Sequence, residues 1–99
     1  MIEKKSSPGS DKVLVTFRFR GAPWVSRVNL VGTFNDWATT GTPMELDPLT
    51  LTWSVTLELA AGQDHEFRYL IDGTEWRNDW YADTYVTNAF GSENSVICL

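Results

Sequence analysis

Ninety-nine residues, 42% of them hydrophobic, make a chain of single-domain size that can bury a core without covalent staples. A net charge of −5 lacks the basic face that a phosphate backbone requires, and no apolar run approaches the roughly 18–20 residues that span a bilayer, so neither nucleic acid nor membrane is an expected partner. One cysteine, Cys98, excludes an internal disulfide, and with one histidine, His65, it leaves no zinc ligand set, so no metal and no cofactor are expected.

Residues 1–11 are polar, without the apolar core of a signal peptide, and read as a flexible lead-in to a single domain over 12–99. That start and the lone cysteine point to the cytoplasm. Residues 13–20 alternate, with Val13, Val15, Phe17 and Phe19 on one face and Thr16, Arg18 and Arg20 on the other, the pattern of a half-buried strand. Gly21-Ala22-Pro23 breaks it, and 27–31 forms a second strand. The chain then turns through Gly32-Thr33-Phe34-Asn35-Asp36-Trp37. Asn and Asp favour such turns through bonds to their own backbone. A tryptophan there is either folded back as a lid on the core or displayed to bind something flat.

Residues 38–43 are a Thr/Gly-rich loop, and 44–46 a short strand stopped by Asp47-Pro48. Residues 51–59 carry the cleanest alternation, with Leu51, Trp53, Val55, Leu57 and Leu59 inward, so Trp53 is a core residue. After a turn at 60–64, Phe67, Tyr69 and Ile71 point one way and Glu66, Arg68 and Leu70 the other. Asp72-Gly73 is a hairpin signal, with Trp76 just beyond it. Short strands at 84–87 and 94–99 close the chain. No stretch has a helical period. Six to eight short strands with turns every eight to twelve residues read as an all-β antiparallel sandwich, with Phe17, Phe19, Leu30, Trp53, Val55, Leu57, Phe67, Tyr69 and Ile71 in its core.

The inventory for catalysis is thin. There is no Gly-x-Ser-x-Gly elbow and no phosphate loop. His65, between Asp64 and Glu66, reads as a solvated turn residue. Asp72, Glu75, Asp79, Asp83 and Glu93 sit in turn-like stretches where acids are ordinary, and the spacing of Asp72, Asp79 and Asp83 matches no EF-hand loop. No catalytic group is assigned. Binding is better supplied. Five tryptophans, five phenylalanines and three tyrosines exceed what so small a core can hold, so some must reach the surface. Trp37 and Trp76 each follow a turn and offer flat apolar platforms, Arg68 offers a fork of donors, and Asn94 both donates and accepts. A sugar, with an apolar C–H face and a hydroxyl rim, matches that set.

Gly32-Thr33-Phe34-Asn35-Asp36-Trp37, His65-Glu66-Phe67-Arg68-Tyr69-Leu70-Ile71-Asp72-Gly73 with Trp76 beyond, and Gly91-Ser92-Glu93-Asn94-Ser95-Val96-Ile97 together resemble carbohydrate-binding module family 48. That family includes the glycogen-binding domain of the AMP-activated protein kinase β subunit and the N-terminal early-set domains of isoamylases and branching enzymes. The resemblance covers 12–99 and is nearest to small stand-alone bacterial early-set proteins. It implies an immunoglobulin-like early-set sandwich that binds α-1,4-glucans such as glycogen, starch or maltodextrin. It implies stacking roles for Trp37 and Trp76, a cationic role for Arg68 where the kinase has lysine, a hydrogen-bonding role for Asn94, and a place for Phe90 where the family has a ring-threading leucine, with Ser92 in the same turn. The hairpin 72–76 is one residue longer than the kinase's. The alternative is a structural or protein-interaction module beside a separate glycoside hydrolase or branching enzyme, a glucan-processing partner that the resemblance also suggests.

Overall fold

The computed structural model describes residues 2–6 and 9–99. Nine strands occur among them: β1 (Ile2–Ser6), β2 (Lys12–Arg20), β3 (Val28–Gly32), β4 (Glu45–Asp47), β5 (Thr52–Ala60), β6 (Asp64–Ile71), β7 (Glu75–Arg77), β8 (Thr84–Thr87) and β9 (Glu93–Cys98). The helical element among the described residues is a single 3-10 turn, Thr33–Asn35. No helix of the described residues is long and apolar enough to cross a membrane. One antiparallel sheet runs β1-β2-β5-β4, and the other runs β3-β6-β9-β8 with β7 on the β6 edge.

Period-two patterning drives the two sheets together. In the first sheet, Val15 and Phe17 on β2 are fully buried, and Trp53 on β5 is 6% exposed. Leu30 on β3, Phe67 and Tyr69 on β6 and Ile97 on β9 meet them from the second. The Phe17 and Phe67 rings contact edge to face, with centroids 5.0 Å apart, and Phe19 reaches Tyr69 at 5.1 Å. Such geometry adds to the burial of two large rings. Phe19, Val55 and Leu57 pack on this core only half-buried, because they lie toward the open margins of the sandwich.

Two features depart from the sequence reading. Residues 2–6, expected within a flexible lead-in, form the edge strand β1, paired with β2 from Ile2↔Phe17 to Ser6↔Val13. The pairing satisfies backbone groups along β2, Ile2 packs on the core, and the Lys4 ammonium bonds Asp83. Residues 1, 7 and 8 of the expected lead-in lie outside the described residues. Leu70 and Val31, which share the outer face of the second sheet with Arg68, are also buried, at 2% and 0% exposure. The loop after Trp37 returns across that face: Asn29 Nδ2 donates to Gly41 O (3.1 Å), and Leu30 N–H to Thr42 O (2.9 Å).

Candidate functional site

Three turns build one cavity on the outer face of the second sheet. The first follows β3. Gly32 is extended there, and a Cβ would stand 2.3 Å from Glu66 O, so only glycine lets β3 approach β6 so closely. Asn35 then ties the turn: its Oδ1 accepts from Gly32 N–H (3.0 Å), and its Nδ2 donates to Leu30 O (2.9 Å) and Thr42 Oγ1 (3.2 Å). Asp36 and Trp37 follow with φ of 55° and 59°. Two consecutive non-glycine residues in the left-handed region carry backbone strain, which persists only where the surroundings over-determine it. Here the Asn35 bonds and the Trp37 N–H donated to Gly32 O (2.9 Å) do so. The result is a half-buried Trp37 aimed over the sheet rather than into the core.

The second turn is the β6–β7 hairpin. Asp72 and Gly73 both take positive φ (51° and 74°), as a primed turn requires, and Thr74 N–H closes it on Ile71 O (3.1 Å). Asp72 Oδ1 also accepts from the amides of Ser26 and Arg27 (2.8 and 2.9 Å). Register then sets Trp76 opposite Leu70, on the same face as Arg68. The Arg68 guanidinium lies 5.6 Å from the Trp76 ring centroid, a cation–π contact that orients both groups. Arg68 Nε is buried without a hydrogen-bond partner.

The third turn joins β8 to β9. Asn88 holds it: its Oδ1 accepts from Phe90 N–H (2.9 Å) and Ser92 N–H (3.1 Å), and its own N–H donates to Ser92 O (2.7 Å). Phe90 is thereby displayed with 93% of its surface exposed. Asn94 is 7% exposed, with Oδ1 accepting from Asn88 Nδ2 and Nδ2 donating to Glu66 Oε1, both at 3.1 Å. Its amide is therefore partly spent on holding neighbours.

Trp37, Arg68, Trp76, Asn88, Phe90 and Asn94 line this cavity of about 370 Å³. Five of the six residues singled out from sequence meet there, although up to 57 positions separate them (94 minus 37). Ser92 is exposed and lies off the lining. Asn88 was not anticipated. Its signal was an asparagine two residues before Phe90, placed to bond its own turn. The cavity combines three aromatic surfaces with one cation and two amides, a set suited to stacking on a neutral ring and bonding its rim.

The acids and the histidine do other work. His65 is buried, not solvated: it pairs with Ile97 on the core face, and its Nε2 lies 3.1 Å from Ala60 O. Strand register overrides its two acidic neighbours. Asp79 is 4% exposed and accepts from Tyr69 Oη (2.5 Å); burial, with this carboxylate close by, pushes the Tyr69 phenol far above its ordinary range. Glu75 pairs with Arg77. Asp83 accepts from Lys4 and from Cys98 N–H, and these two contacts hold its carboxyl below the usual carboxylate range. Among the described residues no three His, Cys, Asp or Glu side chains are grouped to hold a metal ion.

The sequence family described as the glycogen recognition site of AMP-activated protein kinase matches residues 12–99. The chain belongs to this carbohydrate-binding family. No curated protein matches the sequence. Among solved structures, the enterobactin esterase of Shigella flexneri, determined in the presence of enterobactin, superposes with a TM-score of 0.78 at 15% identity, covering 99% of this chain and 32% of that one. The ferric enterobactin esterase of Salmonella typhimurium superposes with a TM-score of 0.77 at 12% identity, covering 99% of this chain and 34% of that one. At such identity the likeness is one of fold. The chain spans about a third of the length of those esterases.

Proposed function

We propose that the chain is a non-catalytic α-glucan-binding module that takes α-1,4-linked chains of the glycogen, starch or maltodextrin type in the Trp37–Trp76 cavity. The observation that carries this reading is the meeting of two tryptophans, Phe90 and Arg68 around one cavity in a member of a glycogen-recognition family. Trp37 and Trp76 stack on the C–H faces of successive glucose units. Arg68 donates to hydroxyls from beneath Trp76. Asn88 and Asn94 lend the amide capacity that their mutual bonds leave over, and Phe90 packs against the sugar edge. A cytoplasmic setting accords with the free Cys98 thiol.

The second reading is a structural or interaction module beside a separate glucan-processing enzyme. It draws on Trp24, 79% exposed and outside the cavity, and on the occurrence of this fold as part of longer chains. Two assays separate the readings. On native gels containing glycogen, migration of the chain should be retarded, while gels containing a β-linked glucan should leave it unchanged. Incubation with maltodextrin should release no reducing sugar. Unretarded migration in glycogen would favour the second reading, and sugar release lost on mutating one carboxylate would overturn both.

A further inference from the structure

Trp80 is 91% exposed, yet the backbone on either side of it is tied by several hydrogen bonds. Asp79, just before it, is buried, accepting from Tyr69 Oη (2.5 Å) and donating its N–H to Ser95 Oγ (3.0 Å). The carbonyl of Asp79 accepts from Tyr85 Oη, and its Oδ1 accepts from Tyr81 N–H (2.7 Å). Asn78 accepts from Ser95 Oγ (2.8 Å) and donates to Glu93 O (2.9 Å). Turning Trp80 inward would break this network, so the fold forgoes the burial an indole ordinarily gains and holds the ring in water. Trp37, too, is held on a hydrogen-bonded turn, though it is half-buried where Trp80 is open.

Beside Trp80 lies a cavity of about 320 Å³, lined by Phe19, Arg77, Asn78, Tyr85 and Glu93 together with Asp79 and Trp80. It shares aromatic walls and one guanidinium with the first cavity, but carries one amide in place of two and adds the carboxylates of Asp79 and Glu93. Its position is the opposite side of the same sheet. Successive side chains of a strand point to opposite faces. On β7, Trp76 lines the first cavity and Arg77 the second; on β9, Asn94 lines the first and Glu93 the second. Arg77 is already paired with Glu75, and Glu93 adds a negative charge, so the site suits a neutral hydroxylated ligand better than an anion.

We propose that the Trp80 cavity is a second glucan site, which grips a separate chain of the same polysaccharide on the far face of the sheet. This inference rests on the glucan reading of the first cavity. Two sites facing apart cannot share one short oligosaccharide, but they can engage two branches of a large one, and the second contact then forms at high effective concentration.

Calorimetric titration of the full chain with maltoheptaose, alongside glycogen binding, tests it with the parent, Trp37→Ala, Trp80→Ala and the double variant. At concentrations that saturate the parent, the parent should bind two oligosaccharides and each single variant one, and the double variant should bind far more weakly than either. Glycogen affinity should fall about tenfold or more in Trp80→Ala through lost bivalency. Trp80→Tyr should restore most of it, and the thermal midpoint of Trp80→Ala should match the parent, since the ring packs on little. A parent stoichiometry of one, with glycogen binding unchanged in Trp80→Ala, would overturn the second site and leave the first standing. No titration by any variant would sink both. Self-association in sedimentation, abolished by Trp80→Ala with sugar binding intact, would overturn it by assigning the face to a second copy of the chain.

Discussion

The two sheets are made of similar strands and do different work. Of the first sheet, no residue lines the Trp37–Trp76 cavity. Its longest strands, β2 and β5, pair over nine residues, and their inward positions carry large apolar side chains. The second sheet supplies the floor, through Arg68, Trp76 and Asn94, and the turns that border it. Its outer face is neither plainly solvated nor plainly core. A sheet that mainly supports, as the first does apart from Phe19 at the Trp80 cavity, can obey simple alternation, whereas a sheet that binds must expose some apolar groups and bury some polar ones.

Perturbing the support should cost the most stability. Phe17→Ala removes a fully buried ring that meets Phe67 and should lower the unfolding free energy by about 3–5 kcal/mol, measured by denaturant titration. A loss under about 1 kcal/mol would mean that the sheets are not held at this contact. Gly32→Ala sharpens the contrast, because it strikes where the supporting core meets the binding turn. Its Cβ has no room against Glu66 O, and overpacking of this kind costs about 1–3 kcal/mol, with glucan affinity falling alongside stability. Parent-like stability would show that β3 and β6 are further apart than described.

Tyr69→Phe probes the network beneath Trp80. It takes a donor from a buried carboxylate and should destabilise by about 1–3 kcal/mol, leaving the first cavity's affinity for maltoheptaose unchanged. The smallest effect belongs to the Lys4–Asp83 pair that ties β1 to the second sheet. Because the folded Asp83 carboxyl titrates below its unfolded value, its contribution is fully present above the ordinary carboxylate range near pH 3.9 and is lost as pH falls through the lower folded value. The pair is exposed, so Asp83→Asn should lower stability by less than about 1 kcal/mol at neutral pH and flatten the acid limb of the stability profile.

This division also explains what could be read from the chain. The inward faces of 13–17 and of Trp53 and Leu59 were legible because local alternation and burial agree there, whereas Phe19, Val55 and Leu57 are only half-buried and Leu51 falls in the turn before β5. The Gly32 to Trp37 turn was legible because its glycine, asparagine and aspartate each do local work. Leu70 was placed on the correct face but not as a buried residue, since its cover comes from a loop some thirty positions away. β1 was missed because a single apolar residue, Ile2, sets its register among polar neighbours. His65 was misjudged because flanking acids suggest solvent, while the pairing with Ile97 decides otherwise. The partners of Asn94, Asn88 and Glu66, come from the turn before β9 and from a neighbouring strand, and nothing local announces that they share one amide.

The central claim, that the strained turn after β3 exists to display Trp37 to a glucan, is tested most directly by titrating maltoheptaose into Trp80→Ala and Trp37→Ala/Trp80→Ala, which isolates the first cavity, with tryptophan fluorescence as the readout. The account predicts a Kd on the order of micromolar to millimolar for Trp80→Ala. Adding Trp37→Ala should weaken binding by about 2 kcal/mol or more with the fold intact. Equal binding by the two proteins, or unfolding caused by Trp37→Ala, would contradict it and make Trp37 a lid on the sheet.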